Sequence, residues 1–213
     1  MKVEYLDSMG DDLSVVNAAR VSFAKWKEEF DEGDARLIRY LAQHGHWSPF
    51  SHPQVTLRIG APVFVARQWW RHQIGVARNE VSRRYVDTGV AFYRITEWRK
   101  RPADSIKQGS GGALDPHQQF SIKRKVDEVQ HQCKMLYENL IERGVAPEQA
   151  RAVLPQSMMT EWIETGSLAY FARVCQQRLA ADAQGEIREL AAKVAQVIGP
   201  LFPASWSALC STR

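Results

Sequence analysis

The chain has 213 residues, a mass of 24.3 kDa, 45% hydrophobic and 24% charged residues, and a formal net charge of +4. That composition suits one globular domain, expected over residues 1–213, with a core of its own, and excludes a disordered or fibrous chain. No apolar run reaches the ~18 residues of a membrane span, the acidic start (Glu4, Asp7, Asp11, Asp12) is unlike a secretory leader, and three scattered cysteines (Cys133, Cys175, Cys210) suit a reducing cytoplasm better than a disulfide scaffold.

Apolar spacing predicts a first helix over Asp12–Phe23 and a second over Gly33–His44, where Leu37, Ile38 and Leu41 form the apolar face and Gly45 supplies a left-handed stop. A loop, His46–His52, precedes an alternating strand at Gln54–Ile59. Pro62 is placed to open a helix running to about His72. Residues 103–116, with Gly109-Ser110-Gly111-Gly112 and Pro116, read as a loop. A long helix follows over His117–Arg143, ended by Gly144, then a short helix from Pro147 to before Pro155. Met158–Ile163 reads as a strand, and Ser167–Ala180 and Gly185–Ile198 as closing helices. The expected class is α+β: long helices around a small, mostly antiparallel sheet.

Charge is unevenly spread. Arg67–Lys107 carries ten Lys or Arg against four Asp or Glu, so this stretch alone exceeds the net charge of the whole chain. Such a local field points to a phosphate-bearing partner. Within it, Gln68 and Arg71 share a helix face three residues apart, as Arg67 and Arg71 do four apart. In an extended stretch, Glu80, Ser82 and Arg84 point to one side, offering a carboxylate, a hydroxyl and a guanidinium that suit a sugar and a phosphate together. The plainer reading is a solvated basic surface over two packed tryptophans, Trp69 and Trp70. Charges interleaved this closely with Trp69, Trp70, Val76 and Val81 weigh against it.

The segment Arg71-His72-Gln73, eight residues, then Ser82 resembles the Arg-His-Arg…Ser signature of flavin-dependent thymidylate synthases. Its flanks are similar as well: Gly45-His46-Trp47-Ser48-Pro49-Phe50, Ala61–Trp69, Asn79-Glu80-Val81-Ser82-Arg83-Arg84-Tyr85 and Ala150-Arg151-Ala152-Val153-Leu154-Pro155. These matches lie in order along nearly the whole chain. The resemblance implies a homotetramer with active sites shared between subunits. It implies conversion of dUMP to dTMP, with methylenetetrahydrofolate as carbon donor and FAD, reduced by NADPH, as hydride source. By position it assigns dUMP to Gln68, Arg71, Glu80, Val81, Ser82, Arg83, Arg84, Arg151 and Arg178, with Arg178 the catalytic residue that favours ionised uracil. It assigns FAD to Ser48, Arg71, His72, Gln73, Glu80, Ser167 and Arg173. The chain departs from the family pattern at Ser51, Gln73, Ser167, Ala169, Arg173 and Asp182, all on the flavin side. Those departures leave a hydroxymethylated product as an alternative outcome.

No Gly-x-Gly-x-x-Gly turn after a strand is present, so FAD is expected to rest on side chains at subunit contacts. A cysteine nucleophile attacking uracil is not expected, because Cys133 and Cys175 fall in helices and Cys210 near the end. His44, His46 and His52 lack a completing ligand nearby, so no metal is expected. The reading from a different class is a nucleic-acid-binding module with Trp69, Trp70, Tyr85, Tyr93 and Trp98 as stacking platforms. The sequence instead predicts an enzyme with small-molecule substrates and neither nucleic acid nor membrane as partner.

Overall fold

The computed structural model describes residues 1–102 and 109–211. The chain begins with a strand, β1 (Lys2–Met9), which the sequence reading did not anticipate because its side chains are exposed or half-buried and carry no apolar alternation. Gly10 turns the chain at a φ of +81°. Asp11 then caps α1 (Asp12–Arg20): its carboxylate accepts the Ser14 amide at 2.8 Å, and the Ser14 hydroxyl accepts the Asp11 amide at 3.1 Å. The helix stops before the expected Phe23, in a 3-10 turn over Val21–Phe23. Asp31 and Asp34 form the same reciprocal cap on α2 (Glu32–Gln43), and Gly45 supplies the expected left-handed stop at φ +68°.

The alternation seen at Gln54 runs on through β2 (Gln54–Pro62), with Val55, Leu57, Ile59 and Ala61 buried. Pro62 therefore ends a strand rather than opening a helix, and α3 covers only Val63–Trp69. β3 (Val76–Glu80) follows. Beyond Val81 the extended stretch expected through Arg84 is absent. The Ser82 carbonyl accepts the amides of Tyr85 and Val86 at 3.0 Å each, a local turn that replaces strand pairing where no apolar side chain is left to bury. Part of the expected 103–116 loop lies outside the described residues. The rest pairs back, with an isolated antiparallel bridge between Arg99 and Ala113.

Asp115 caps α4 (Pro116–Glu142), accepting the Gln118 amide at 2.9 Å, and Gly144 at φ +81° ends it as expected. After α5 (Pro147–Ala150) and a 3-10 turn over Arg151–Val153 comes β4 (Met159–Ser167), which ends four residues later than the sequence suggested. Ser167 is therefore the N-cap of α6 (Leu168–Arg178). α7 (Gly185–Ile198) matches expectation; α8 (Pro203–Cys210) was not anticipated.

The sheet order is β1-β2-β4-β3. Thr56 faces Thr165 and Val63 pairs with Met158; likewise Gly75 pairs with Ser167 and Val81 with Glu161. One number rises as the other falls by the same amount, so β2–β4 and β4–β3 are antiparallel. The chain divides into two compact units. One holds Met1–Ile59, Trp69–Asn79 and the chain from Trp162 onward, where α7 packs on β1 and α6, and α2 on α8. Its core includes Val15, Ile38, Phe50, Trp69, Phe171 and Ile187. The other holds Gly60–Gln68 and the described part of Glu80–Glu161, with Val90, Tyr137 and Ala150 buried beneath α4 residues Leu140 and Ile141.

Candidate substrate and cofactor sites

In the second unit, residues at and just beyond the end of β3, with others that follow α5, line a cavity of about 490 Å³. Glu80, Val81, Ser82, Arg83, Arg84 and Arg151, six of the nine positions assigned to dUMP, all line it. The turn at Ser82 folds Ser82, Arg83 and Arg84 together. It leaves the Ser82 hydroxyl 3.2 Å from Arg84 Nε, and the Arg84 guanidinium stacks over Tyr85 at 5.2 Å. Three guanidiniums face this space against one carboxylate, the balance expected of a phosphate site. The carboxylate is oriented: Thr160 donates its hydroxyl to Glu80 at 2.6 Å.

The members of this group differ in what their donors already do. Val81 donates its amide to the Glu161 carbonyl at 2.9 Å, so this group is committed to the sheet. Arg83 donates to the carbonyls of Thr88 (2.5 Å), Val86 and Gly89 (3.4 Å each), which ties down its own loop. Arg151 gives one long bond, 3.3 Å, to the Glu148 carbonyl and is exposed. Gln68 lies half-buried on α3 and is not among the residues lining this cavity.

The first unit holds the remaining assigned residues. Arg178, in the last turn of α6, donates from Nε to Nε2 of His72 at 3.1 Å, joining residues 106 positions apart. That contact requires His72 to be neutral with its proton on Nδ1. Partial burial, and after it the guanidiniums of Arg178, Arg173 and Arg78, push the imidazole down to about 4, so it stays neutral at physiological pH. Burial and the nearby Arg71 charge lower Arg178 as well. Arg71, Gln73 and Ser48 are exposed.

Ser167 and Arg173 line a mostly apolar cavity of about 570 Å³ together with Trp47, Ile74 and Tyr170. Ser167 accepts the Tyr170 amide as N-cap, and Arg173 donates to the Ile74 carbonyl at 2.8 Å. Gly75 belongs here for a steric reason: its φ is +81°, and a Cβ would meet the Ser167 hydroxyl at 3.1 Å. An apolar wall with aromatic side chains, beside the Arg173 guanidinium, suits a flavin dinucleotide in kind.

Sequence reasoning missed a buried network in this unit. Glu164 is fully buried and accepts from Trp69 Nε1 (2.9 Å), Trp162 Nε1 (3.0 Å), Tyr170 Oη (2.9 Å) and Arg78 Nε (2.5 Å). The signal was available: in β4, Thr160, Trp162, Glu164 and Gly166 form the buried row, so Glu164 is a carboxylate on the apolar face of a strand.

The cysteines stand apart from this chemistry. Burial raises the Cys175 thiol well above its ordinary range, while Cys210 is exposed at the end of α8. Among the described residues no group of three His, Cys, Asp or Glu is placed to hold a metal ion, and none of their helices is long and apolar enough to cross a membrane.

The profile of the family described as Thymidylate synthase complementing protein matches residues 4–204. A flavin-dependent thymidylate synthase of Thermus thermophilus is 40% identical over 206 residues, 97% of this chain and 74% of that protein. One from Thermotoga neapolitana is 36% identical, covering 97% of this chain and 89% of the relative. Among solved structures, the UMP/dUMP methylase PolB of Streptomyces cacaoi bound with 5-Br dUMP superposes with a TM-score of 0.85 at 33% identity, covering 99% of this chain and 94% of that one. The same enzyme bound with 5-Br UMP gives 0.87 at 29% identity. These likenesses favour an enzyme over a polynucleotide-binding module.

Proposed function

Because the chain belongs to the thymidylate synthase complementing protein family, the flavin-dependent thymidylate synthases, we propose that it converts dUMP to dTMP. Methylenetetrahydrofolate is the proposed carbon donor, NADPH the reductant, and a homotetramer with active sites shared between subunits the working form. The observation that carries this reading is the cavity of Ser82, Arg83, Arg84 and Arg151 with the Thr160-oriented Glu80.

In this reading Arg84 and Arg151 hold the phosphate, joined by the Ser82 hydroxyl, while Glu80 accepts a sugar hydroxyl. Arg83 keeps the loop that presents its neighbours. Arg178 stands beside the uracil, where a fixed cation favours the N3-ionised ring and raises electron density at C5. His72, accepting from Arg178 Nε, keeps the remaining N–H groups of that guanidinium directed at substrate. With C5 activated this way no thiolate needs to add to the ring, in keeping with three cysteines that are buried or helical. Ser167, Arg173, Arg71 and His72 are the proposed flavin contacts. When bound, FAD supplies the hydride that reduces the transferred methylene to methyl.

The test is turnover of dUMP with methylenetetrahydrofolate, FAD and NADPH, with the product identified by mass. Formation of dTMP supports the reading; a protein that binds dUMP yet yields no dTMP or 5-substituted dUMP overturns it. Arg84→Ala is expected mainly to raise KM for dUMP, and Arg178→Ala mainly to lower kcat. If both changed KM alone, the role given to Arg178 would be wrong.

A further inference from the structure

Arg78 has no place in the mechanism above, yet its guanidinium is among the most fully used in the described chain. From β3 it reaches three acceptors at once: Nε on the Glu164 carboxylate at 2.5 Å, and Nη2 on the Tyr170 hydroxyl and on the His72 carbonyl at 2.6 Å each. Glu164, from β4, is locked in turn by two indoles and by Tyr170. We propose that Arg78 and Glu164 are positioning residues for the reaction: a buried strut that fixes the backbone carrying His72 and, through the His72 ring, the direction of the Arg178 guanidinium.

The inference rests on the role given to Arg178. A hydrogen bond to any buried carbonyl adds stability; one to the main-chain carbonyl of the residue that orients Arg178 also fixes the backbone from which that residue reaches it. Arg78 does end there, and the carbonyl it holds lies on the same residue whose Nε2 receives Arg178 Nε. A planar guanidinium reaches three acceptors in fixed directions, which an ammonium cannot. The strut also acts through charge. His72 is faced by Arg173 and Arg178 from α6 and by Arg78 from β3, while Glu164 from β4 neutralises Arg78 in part. A protonated His72 turns an N–H toward Arg178 and breaks the contact, so cations around the ring preserve the neutral form that Arg178 needs.

The experiment follows Arg78→Gln, Arg78→Lys and Glu164→Gln, with Trp69→Phe as a control that removes one donor to Glu164 and leaves Arg78 in place. His72 is titrated by NMR in the unliganded protein, and kcat and KM for dUMP are measured in the complete reaction. Arg78→Gln is expected to raise the His72 midpoint by roughly half a unit or more. It is expected to lower kcat about tenfold to a hundredfold, with KM for dUMP little changed, because the phosphate cavity shares no residue with the strut. Arg78→Lys should keep the midpoint and still lose kcat; Trp69→Phe should lower the melting temperature and keep kcat. An unmoved His72 midpoint in folded Arg78→Gln overturns the proposal. So does a KM rise matching the kcat loss, or a Trp69→Phe that loses as much kcat as the Arg78 variants. Should Arg78→Gln not fold, wild-type kcat in Arg78→Lys is enough to overturn it. Absence of dUMP turnover by the wild type counts against the reaction instead, and the titration still decides whether Arg78 governs His72.

Discussion

His72 shows how a single residue ties the two arginine systems of the first unit to pH. Folded, it stays neutral until about pH 4; unfolded, it takes up its proton near the ordinary 6.5. As the pH falls from 6.5 to 4, the unfolded chain gains a proton that the folded chain does not. Stability from this group is therefore complete above 6.5, falls across that window and levels off below it. Asp31 separates cleanly from it. The Lys27 ammonium, with the Asp34 amide, holds its carboxyl at about 2 against an ordinary 3.8, so its contribution is complete above 3.8 and is lost only as the pH drops toward 2. Denaturant unfolding measured from pH 7 to 4 should thus weaken for the wild type and weaken less for His72→Gln, whose amide oxygen still accepts from Arg178 but does not titrate. Equal slopes for the two proteins would place the proton uptake elsewhere.

At the level of elements, what is legible depends on which faces are buried. β2 was readable because Val55, Leu57 and Ile59 alternate on an inward face, and α7 because Ile187, Leu190, Ala191 and Val194 recur at helical spacing. β1 was not, since it is held by backbone pairing with little side-chain burial. α8 was not either: Pro203-Ala204-Ser205-Trp206-Ser207-Ala208 has no apolar stripe, and its start is fixed from afar. The Asp12 carboxylate accepts the amides of Ala204 and Ser205 at 2.8 and 2.9 Å, so a residue of α1 serves as the missing N-terminal cap of α8. No local sequence pattern can announce a cap 192 residues away. Asp12→Ala is expected to destabilise the protein by about 1–2 kcal/mol, the usual worth of an N-cap, and Asp12→Asn by less. Hydrogen exchange would locate the effect: protection should fall in α8 while that of α4 is unchanged. Uniform loss across both helices would show that Asp12 does more than cap.

Across the whole molecule the candidate site was legible as composition and only partly as geometry. The run Glu80–Arg84 was visible as a phosphate- and sugar-binding set and Arg151 only through the family resemblance, and all of them line one cavity. What escaped was the division of labour inside it, because which carbonyl Arg83 meets, or which amide Val81 donates, is decided by a turn that alternation does not encode. The flavin side tests how far the assembled protein compensates for its departures. Gln73 is exposed and neutral where the family pattern has arginine, and Ala169 brings no cation to the apolar cavity. Arg173 does bring one, but one of its donors is engaged with the Ile74 carbonyl and its guanidinium lies 6.0 Å from the Tyr170 ring. The apolar rim is left open, with Trp47 68% and Ile74 77% exposed, so the flavin or a neighbouring subunit is expected to cover it. A pyrophosphate that loses one charge-assisted bond forfeits roughly 1.5–3 kcal/mol, about tenfold or more in affinity. FAD is therefore expected to be held weakly, with much of it lost on purification. Gln73→Arg should tighten it about tenfold, and Arg173→Ala should weaken it. Flavin fluorescence titrations of the three apoproteins, with light scattering on each to follow the expected tetramer, read both effects. A sub-micromolar wild-type constant indifferent to Arg173→Ala would mean that other contacts hold the flavin, and a stable monomer that still turns over dUMP would remove the need for shared sites.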